Sequence, residues 1–379
     1  MSFKRLLLTL LITLTATQAH AIETTARNVI IMDFETGQYL YTKDHQKMIP
    51  PASMSKLMTT YMIFSKLKDG SLKLDDEFSV SENAWRKGGA SSGGSTMFLP
   101  LKSTVKVEDI LKGIIIQSGN DACIVSAENI SGSEENFAQE MNQKAREIGL
   151  YNSYFANSTG LPHPDHKMSV EDLAILSKRL IQDFPEFYHM FSEQSFTFNK
   201  IKQGNRNPLL YSMQYADGLK TGHTEEAGFC LTASAKKGDR RLISVMAGME
   251  SNKERSAESN KVMAWGFREF DNYTLLQKGR KIATVPVWQG KEKEVDLIVS
   301  EDVRQTLHRS RMSKIKMTAI YEKPIKAPIK KGDKLGFIKV QYDTDQTKEF
   351  PLVANKDIKA VSWLGKVANN FKYILLGAQ

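Results

Sequence analysis

Ser53 and Lys56 are a pair of residues whose types and spacing could perform nucleophilic chemistry. At positions i and i+3 the two side chains share one face of a helix, and a helix is expected to begin at Ser53 because Pro50-Pro51 breaks the chain before it. Free backbone N–H groups at a helix N-terminus favour a developing negative charge. A buried lysine can lose its proton near neutral pH. The pair therefore predicts a serine nucleophile with a lysine base.

The spacing of this pair is not unique in the chain. A lysine also follows three residues after Ser65, Ser103, Ser234 and Ser313. Ser53 differs from these because it begins a segment, SMSKLMTTYMIFSKL, that is apolar nearly all round a helix and is typical of a buried helix. The pair alone leaves open a simple N-cap role for Ser53.

Two further short motifs follow later in the chain. Ser118-Gly119-Asn120 combines a hydroxyl and an amide with a glycine that permits close approach of backbone or ligand. Lys220-Thr221-Gly222 ends a strand-like segment, so its side chains could line a groove that admits the edge of a peptide. Each motif also fits a structural reading, a helix-breaking turn for the first and an ordinary strand end for the second. Neither decides a function alone.

The motifs S-x-x-K, S-x-N and K-T-G in this order resemble the signature set of penicillin-binding proteins and serine β-lactamases. The longer strings PPASMSKLMT, IIIQSGNDAC and DGLKTGHTEEAGF resemble the low-molecular-mass D-alanyl-D-alanine carboxypeptidases. The resemblance covers nearly the whole chain. It implies a fold in which helices surround an antiparallel sheet, followed by a small all-β domain and a terminal amphipathic helix.

The resemblance also implies a reaction. Ser53 would attack the carbonyl between the terminal D-alanines of a peptidoglycan stem peptide while neutral Lys56 takes its proton. The backbone N–H groups of Ser53 and His223 would form the oxyanion hole. Ser118 would relay a proton to the leaving amine, supported by Lys220, and water would then hydrolyse the acyl-enzyme. β-Lactam antibiotics would acylate the same serine and act as covalent inhibitors.

Several residues are implied for substrate binding. Asn120 would hold the substrate amide, and Lys220 with Thr221 would bind the terminal carboxylate. Arg206 and Arg255 match positions that the family keeps near the groove, as carboxylate or structural partners, although both also fit ordinary surface or core-edge arginines. The predicted set is Asn120, Arg206, Lys220, Thr221, Gly222, His223 and Arg255.

The N-terminus has the pattern of a secretory signal peptide. Lys4 and Arg5 precede an apolar run at 6–14, and Ala19-His20-Ala21 offers small residues at the positions that a signal peptidase reads. The apolar run is shorter than the ~20 residues that a membrane-spanning helix needs. We therefore expect a signal peptide at 1–21 and an exported mature chain.

The rest of the chain divides by its patterns. Residues 22–272 mix helices with adjacent strands and are the expected catalytic domain, whereas 273–360 carry short strand-like runs typical of a small all-β domain. Within the first domain we expect a hairpin at 28–42, helices at 53–67, 107–116, 121–130, 134–148, 169–182 and 259–270, strands at 217–221, 228–235 and 241–248, and a Gly/Ser-rich loop at 86–96.

Residues 361–379 have an amphipathic helical pattern. One face carries Trp363, Leu364, Val367, Phe371, Ile374 and Leu375. Such a helix either docks on its own domain or lies in a membrane interface, and the signal peptide and basic charge favour the membrane. The expected location is thus the periplasm, peripherally attached to the outer face of the cytoplasmic membrane.

Composition excludes several other classes of partner and cofactor. The net charge is +9, but no dense Lys/Arg run or nucleic-acid-binding motif is present, so nucleic acid is not an expected partner. His163 and His166 lack an accompanying H-E-x-x-H or C-x-x-C motif, so neither a metal nor another cofactor is predicted. Cys123 and Cys230 lie in apolar surroundings, which favours two buried free thiols over a disulfide.

Alternative functions share most of these motifs. A class A β-lactamase would carry Asp in place of Gly119 and a Glu-x-x-Leu-Asn motif, which Glu171-Asp172-Leu173 does not match. An endopeptidase that cuts D-alanyl cross-links is a closer alternative, although similar relatives with that activity tend to lack the second β domain. A penicillin-binding sensor or scaffold without turnover would have no need of a base such as Lys56.

Overall fold

The computed structural model describes residues 22–310, 315–341 and 347–367. The predicted signal peptide at 1–21 lies outside the described residues, as does the predicted C-terminal helix from residue 368 onward. The helices are α1 (Lys56–Lys68), α2 (Glu82–Gly88), α3 (Val107–Lys112), α4 (Asn120–Ser131), α5 (Glu134–Glu147), α6 (Val170–Asp183), α7 (Leu209–Ser212) and α8 (Asn252–Glu269).

The strands fall into a first group that accompanies these helices and a second group that follows α8. The first group is β1 (Asn28–Asp33), β2 (Tyr39–Lys43), β3 (Glu77–Ser79), β4 (Thr104–Lys106), β5 (Ser153–Tyr154), β6 (Lys167–Met168), β7 (Ser195–Phe198), β8 (Ile201–Gly204), β9 (Ala216–Thr224), β10 (Gly228–Lys237) and β11 (Arg240–Met249). The second group is β12 (Phe270–Leu276), β13 (Lys281–Trp288), β14 (Glu294–Val299), β15 (Val303–His308), β16 (Lys316–Tyr321), β17 (Ile325–Lys326), β18 (Lys334–Gln341) and β19 (Thr347–Ala354).

An antiparallel sheet in the order β2-β1-β11-β10-β9 is the centre of the catalytic part. Side chains alternate between the faces of a strand, and here both faces are covered by helices. Ile30 and Met32 of β1 pack into the large core with α1 and α6, whereas Val29 and Ile31 pack with α8. Every residue of β1 is therefore buried. The helix-and-sheet fold class is confirmed.

Helix α1 passes through the middle of the large core, as its all-round apolar sequence predicts. Every residue from Lys56 to Phe64 is buried, so this helix has no solvent-facing side over its first turns. The chain enters it through a 3₁₀ turn, Ala52–Ser55, that follows the Pro50-Pro51 break. Ser53 lies in this turn, directly ahead of the helix.

Most predicted elements are present, with shifts at their ends. The hairpin at 28–42 is formed by β1 and β2, and Gly37 takes a left-handed φ of 69° in its turn. Two segments differ from expectation. The Gly/Ser-rich segment 86–96, expected to be a loop, contains the end of α2, which has its N-cap at Ser81, and a short 3₁₀ helix, Ala90–Ser92. The helix expected at 107–116 ends at Lys112 and continues as a wider π turn, Gly113–Gln117.

The strands after α8 form a separate β-rich region with its own apolar core. Its larger sheet has the order β16-β18-β19-β14-β13-β17, and β12 pairs with β15 in a ribbon beside it. The all-β character expected for this part of the chain is confirmed. Trp363, Leu364 and Val367 are exposed at the end of the described chain, where a helical turn begins at residue 363. Among the described residues, no helix has both the length and the apolarity to cross a lipid bilayer.

The β12–β15 ribbon is joined to the catalytic part by polar side chains around Asp33. The buried Asp33 carboxylate accepts from Arg240 Nε at 2.9 Å and from Asn272 Nδ2 at 3.1 Å. Next to it, the β1–β2 turn contacts β15 through hydrogen bonds between Thr36 and Thr306 and between Gln38 and Gln305. Asp33 thus links the end of β1 to β11 through Arg240 and to the β12–β15 ribbon through Asn272.

We predict that Asp33→Ala lowers the free energy of unfolding by about 3 kcal/mol, because it leaves the mostly buried Arg240 guanidinium without its carboxylate. Asp239→Ala, which removes an exposed carboxylate from the neighbouring turn, should change stability by less than about 0.5 kcal/mol. Urea unfolding of both variants measures the difference. Equal stabilities would contradict the role given to Asp33.

Candidate active site

The 3₁₀ turn Ala52–Ser55 holds Ser53 against strand β9. Gly222 of that strand permits the close approach, because a Cβ there would lie 3.0 Å from the Pro51 carbonyl oxygen and 3.1 Å from Ala52 Cβ. Ser53 is only partly buried, whereas its neighbours in the turn are buried. The serine hydroxyl is therefore presented at the surface of a rigid, packed turn.

The Lys56 amine lies beneath Ser53 and contacts oxygen atoms of three chain segments. Nζ is 3.0 Å from Ser53 Oγ and 2.8 Å from Asn120 Oδ1, and it also donates to the Thr159 carbonyl. The amide and carbonyl oxygens can only accept hydrogen bonds. A neutral amine has two N–H groups and one lone pair, so these two acceptors take both N–H groups. The lone pair then faces the Ser53 hydroxyl.

Burial sets the protonation of this amine. Lys56 has no exposed surface, and burial lowers its pKa from the ordinary value of 10.5. The nearby Arg206 charge lowers the pKa further, while Asp121 and Glu134 oppose the shift from a distance. Among the residues that the structure describes, no carboxylate forms an ion pair with Nζ that would hold the proton on this amine.

The Ser118-Gly119-Asn120 motif lies where the π turn ends and α4 begins. Ser118 is buried and has a left-handed φ of 61°. Among the hydrogen bonds of the described residues its Oγ has no partner. Asn120 opens α4, with its N–H donating to the Ser95 carbonyl at 2.8 Å. The motif thus brings a free hydroxyl and an anchored amide to the neighbourhood of Lys56.

The loop 157–161 supplies the Thr159 carbonyl, which accepts from Lys56 Nζ. No side-chain motif in the sequence could predict this backbone contact. The Asn157 side chain accepts from the Thr159 N–H at 3.1 Å and the Gly160 N–H at 2.8 Å, which folds the loop into a tight turn. Gly160 has a left-handed φ of 75°, and a Cβ there would lie 2.1 Å from the Ala52 carbonyl oxygen. The loop therefore packs directly on the Ser53 turn.

A cleft of about 370 Å³ opens above these groups. Its walls include Ser53, Asn120, Arg206 and His223 from the predicted set. The unpredicted wall residues are Gly93, Gly94, Ser95, Gly160, Leu161 and Thr224. The end of the Gly/Ser-rich segment thus forms one side of the cleft, and Arg206 donates to Ser95 Oγ across it at 2.6 Å.

Lys220 and Thr221 are buried in β9 beside this cleft. Burial lowers the pKa of Lys220 well below its ordinary value of 10.5, and the charges of Lys56 and Arg206 lower it further. Burial also lowers the pKa of Arg206. Three basic groups thus share one water-poor region. Such a region attracts an anionic group of a ligand.

The structure separates His223 from Arg255 by an aromatic ring. The exposed His223 imidazole stacks on Phe229 with 4.0 Å between ring centroids, and the Arg255 guanidinium lies on the same ring at 5.6 Å. Arg255 is buried, donates to Asn252 Oδ1 at 2.6 Å and is not part of the cleft wall. Burial lowers its pKa to about 10. Arg206 and Arg255 therefore occupy different surroundings.

Comparison with known proteins agrees with this geometry. The family profile of the D-alanyl-D-alanine carboxypeptidases matches residues 15–251, and that of the penicillin-binding protein 5 C-terminal domain matches 270–360. The chain belongs to the D-alanyl-D-alanine carboxypeptidase family. The family and the carboxypeptidase activity predicted from the motifs are confirmed, and the alternative functions are not favoured.

Similar members of the family include characterised and solved proteins. The D-alanyl-D-alanine carboxypeptidase DacC of Escherichia coli (strain K12) is 40% identical over 345 residues, which cover 90% of this chain and 86% of DacC. Penicillin binding protein 5 from Haemophilus influenzae is 36% identical with a TM-score of 0.82, covering 90% of this chain and 100% of that structure. Penicillin-Binding Protein D2 from Listeria monocytogenes, solved in an ampicillin-bound form, is 29% identical with a TM-score of 0.57, covering 65% and 99%.

Buried groups that the motifs did not reveal complete this carboxypeptidase-family site. The Asp121 carboxylate accepts from Thr96 Oγ1 at 2.6 Å and from the Met97 N–H at 3.0 Å, which ties the cleft wall to α4. In the sequence, Asp121 is marked for a role at the site only by its position directly after the S-x-N motif. The Asn157-x-x-Gly160 spacing is typical of a turn, but it does not indicate that this turn packs on the Ser53 turn. Cys123 and Cys230 are both free and buried, as predicted.

We predict that Gly160→Ala slows acylation of Ser53 by a fluorescent penicillin by roughly tenfold to a hundredfold, because the new methyl group displaces the loop from the Ser53 turn. Gly149→Ala is the matched control. Gly149 also has a left-handed φ, of 87°, but a Cβ there meets no atom within 4 Å. Backbone strain should cost each variant about 1 kcal/mol of stability. Gly160→Ala should lose more, because its methyl group also meets the Ala52 carbonyl oxygen, and only this variant should lose activity. Equal acylation rates would contradict the packing argument.

Proposed function

We propose that this carboxypeptidase removes the terminal D-alanine of peptidoglycan stem peptides through an acyl-enzyme on Ser53. The Lys56 contacts carry the proposal, since two acceptors take its N–H groups and leave its lone pair facing Ser53 Oγ, 3.0 Å away. Lys56 takes the hydroxyl proton as Oγ bonds to the carbonyl carbon of the D-Ala-D-Ala amide. The N–H groups of Ser53 and His223 receive the oxyanion, and both residues line the cleft.

The proposed second half of the reaction returns the proton. The proton passes from Lys56 through the Ser118 hydroxyl to the leaving nitrogen as the C–N bond breaks, with Lys220 supporting the transfer. A Ser118 Oγ without another hydrogen-bond partner in the described chain is compatible with such a relay. Water then attacks the acyl carbon while Lys56 takes its proton. Lys56 returns this proton to Ser53 Oγ as the ester C–O bond breaks, which frees the enzyme and the shortened stem.

The stem peptide is proposed to be recognised by backbone pairing with the outer edge of β9 and by the attraction of its carboxylate to basic side chains. β9 is the last strand in its sheet order, so its outer edge can pair with an extended peptide. The substrate amide would bind to Asn120, and the terminal carboxylate to Thr221 in the basic region formed by Lys220 and Arg206. Gly222 keeps this strand close to the Ser53 turn. Arg255 is proposed to support the Phe229–His223 stack instead of contacting substrate.

β-Lactam antibiotics are proposed to acylate Ser53 in the same way. The Listeria monocytogenes relative with an ampicillin-bound structure supports this proposal. A four-membered lactam amide would take the place of the scissile D-Ala-D-Ala amide, and its carboxylate would meet the same basic region. The Lys56 amine, whose pKa is lowered by burial and which lies 3.0 Å from Ser53 Oγ, argues for turnover and thus against a purely binding protein.

The proposed location is the periplasm, with the chain attached to the outer face of the cytoplasmic membrane. The signal-like pattern at 1–21 supports export. We further propose domains at 22–272 and 273–360 and a membrane-associating helix at 361–379. Exposure of Trp363, Leu364 and Val367 at the start of that helix supports an interfacial role.

We predict that the wild-type protein releases D-alanine from a peptide ending in D-Ala-D-Ala and that Ser53→Ala releases none, because Ser53 carries the hydroxyl that is hydrogen-bonded to Lys56 Nζ in the described chain. Ser103→Ala is the matched control from another S-x-x-K sequence. Its hydroxyl bonds only to its own turn, at the Pro100 carbonyl, so release should be unchanged. Penicillin labelling of Ser53 without any release of D-alanine would indicate an endopeptidase or a sensor.

We predict that deletion of 361–379 abolishes sedimentation with vesicles that contain phosphatidylglycerol while D-alanine release in solution stays unchanged. All residues that line the cleft precede this segment, which is why activity should survive. Replacing Trp363 and Leu364 together by serine should weaken sedimentation in the full-length chain, because it removes exposed apolar surface. Unchanged sedimentation of the deletion variant would rule out the anchor.

A further inference from the structure

His166 is a buried histidine that the proposed reaction does not use. It lies in the segment between loop 157–161 and β6 and packs its ring edge-on against Phe155, with 5.7 Å between ring centroids. Its Nε2 is 2.7 Å from the hydroxyl of Ser55, which belongs to the catalytic 3₁₀ turn. Its Nδ1 is 3.3 Å from the Ala156 nitrogen, at the base of the loop.

These contacts define the state of the imidazole. The Ala156 N–H can only donate, so Nδ1 accepts, and the proton of the neutral ring is on Nε2, which donates to Ser55 Oγ. A doubly protonated ring could not accept from Ala156. Burial lowers the pKa of His166 to about 4, and the positive charges of Lys167 and of His163, when it is protonated, act in the same direction. The ring is therefore neutral at physiological pH.

The histidine joins the two pieces of backbone that flank the catalytic amine. On one side, Ser55 directly precedes Lys56 and lies two residues after Ser53. On the other, the Ala156 N–H holds the base of the loop whose Thr159 carbonyl accepts from Lys56 Nζ. Other contacts attach this loop elsewhere, including Ser158 to Glu134 on α5. Thr59 Oγ1 also donates to the Ser158 carbonyl at 2.6 Å, which ties the middle of the loop to α1. The His166 side chain differs from these links because it joins the base of the loop, at Ala156, to Ser55 of the 3₁₀ turn.

We propose that His166 is a positioning residue for acylation, which holds the Thr159 carbonyl in register with the Ser53 turn so that the Lys56 lone pair faces the nucleophile. The inference rests on the proposed acyl-enzyme function of Ser53. The chain Ala156 N–H to His166 to Ser55 fixes the distance between turn and loop, and Gly160 allows their direct contact. His166 itself contacts neither substrate nor the reacting atoms.

The test uses variants that separate hydrogen bonding from volume. His166→Gln keeps an acceptor and a donor on one side chain, whereas His166→Leu fills the space without either group. Ser55→Ala removes the same link from the other end, and His189→Leu, at an exposed histidine whose Nδ1 contacts only the Glu186 carbonyl, is the control. Acylation by a fluorescent penicillin and kcat and KM for D-alanine release are measured on the folded full-length protein.

We expect His166→Leu and Ser55→Ala each to lower the acylation rate and kcat by about tenfold with KM changed by less than about twofold, since the base and not the binding surface is misaligned. His166→Gln should restore most of the rate. The double variant should be no slower than the slower single variant, because both changes break one link. The His189→Leu control should match wild type.

Other results would overturn the proposal. One such result is that folded His166→Leu is acylated at the wild-type rate. Another is that His166→Gln is acylated as slowly as His166→Leu. A third is that the rate losses of His166→Leu and Ser55→Ala multiply in the double variant. If His166→Leu does not fold, Ser55→Ala with wild-type kcat has the same meaning. Failure of the wild-type protein to be acylated at Ser53 at all would instead refute the proposed function.

Stability against pH gives an independent measure of the neutral ring. An unfolded chain binds a proton at His166 below the ordinary pKa of 6.5, but the folded protein does so only near about 4. Acid therefore favours unfolding in this window, so stability should fall as pH decreases from 6.5 toward 4. His166→Gln should show a smaller fall in urea midpoint over that range. Identical pH dependence in the two proteins would contradict the lowered pKa of His166 and the neutral ring in the folded protein.

Discussion

The Lys56 amine has no exposed surface, and its hydrogen bonds within the described chain are to oxygen atoms of neutral groups. An isolated buried ammonium is strongly unfavourable, so the amine loses its proton more readily than an exposed lysine does. This one desolvated group determines what its neighbours must provide. Two acceptors have to satisfy its N–H groups, and the remaining direction has to point at the nucleophile. The Asn120 side chain and the Thr159 carbonyl are the two acceptors, and Ser53 is the nucleophile. These three groups come from separate parts of the chain.

The fold brings those parts together by packing. Helix α1 is buried on all sides over its first turns, which fixes Lys56, and α4 and the loop 157–161 supply the acceptors. Strand β9 closes the site from the sheet, at a position where Gly222 leaves room for the Ser53 turn. The resulting cleft has one partly buried serine above Lys56, whose pKa is lowered by burial, and further basic side chains beside it. A D-Ala-D-Ala terminus has the corresponding amide and carboxylate, in agreement with the family to which the chain belongs.

Much of this arrangement could be predicted from the sequence. The buried helix after Pro50-Pro51, the β1–β2 hairpin and the all-β second part follow from apolar periodicity and turn residues, and the family follows from three short motifs in order. The Thr159 carbonyl could not be predicted, because a backbone oxygen carries no residue signature and its location depends on how loop 157–161 packs. The π turn after α3 escaped prediction for a similar reason, since its apolar residues also fit a regular helix. His166 had no recognisable motif because its partners, a hydroxyl and a backbone N–H, are far away along the chain.

The hydrogen bonds around Asp33, between the catalytic part and the β12–β15 ribbon, have a consequence for the evolution of such chains. The hydrogen-bonded contacts between the catalytic part and the β12–β15 ribbon include Thr36, Gln38, Asn272, Gln305 and Thr306. If these units were separated by a gene truncation, water could replace the lost hydrogen bonds of such side chains. Each unit also keeps an apolar cluster of its own. Recombination that removed or exchanged the β-rich module would thus leave the large catalytic core intact, and it would also break the packing of Phe270 of the ribbon on Trp265 of α8.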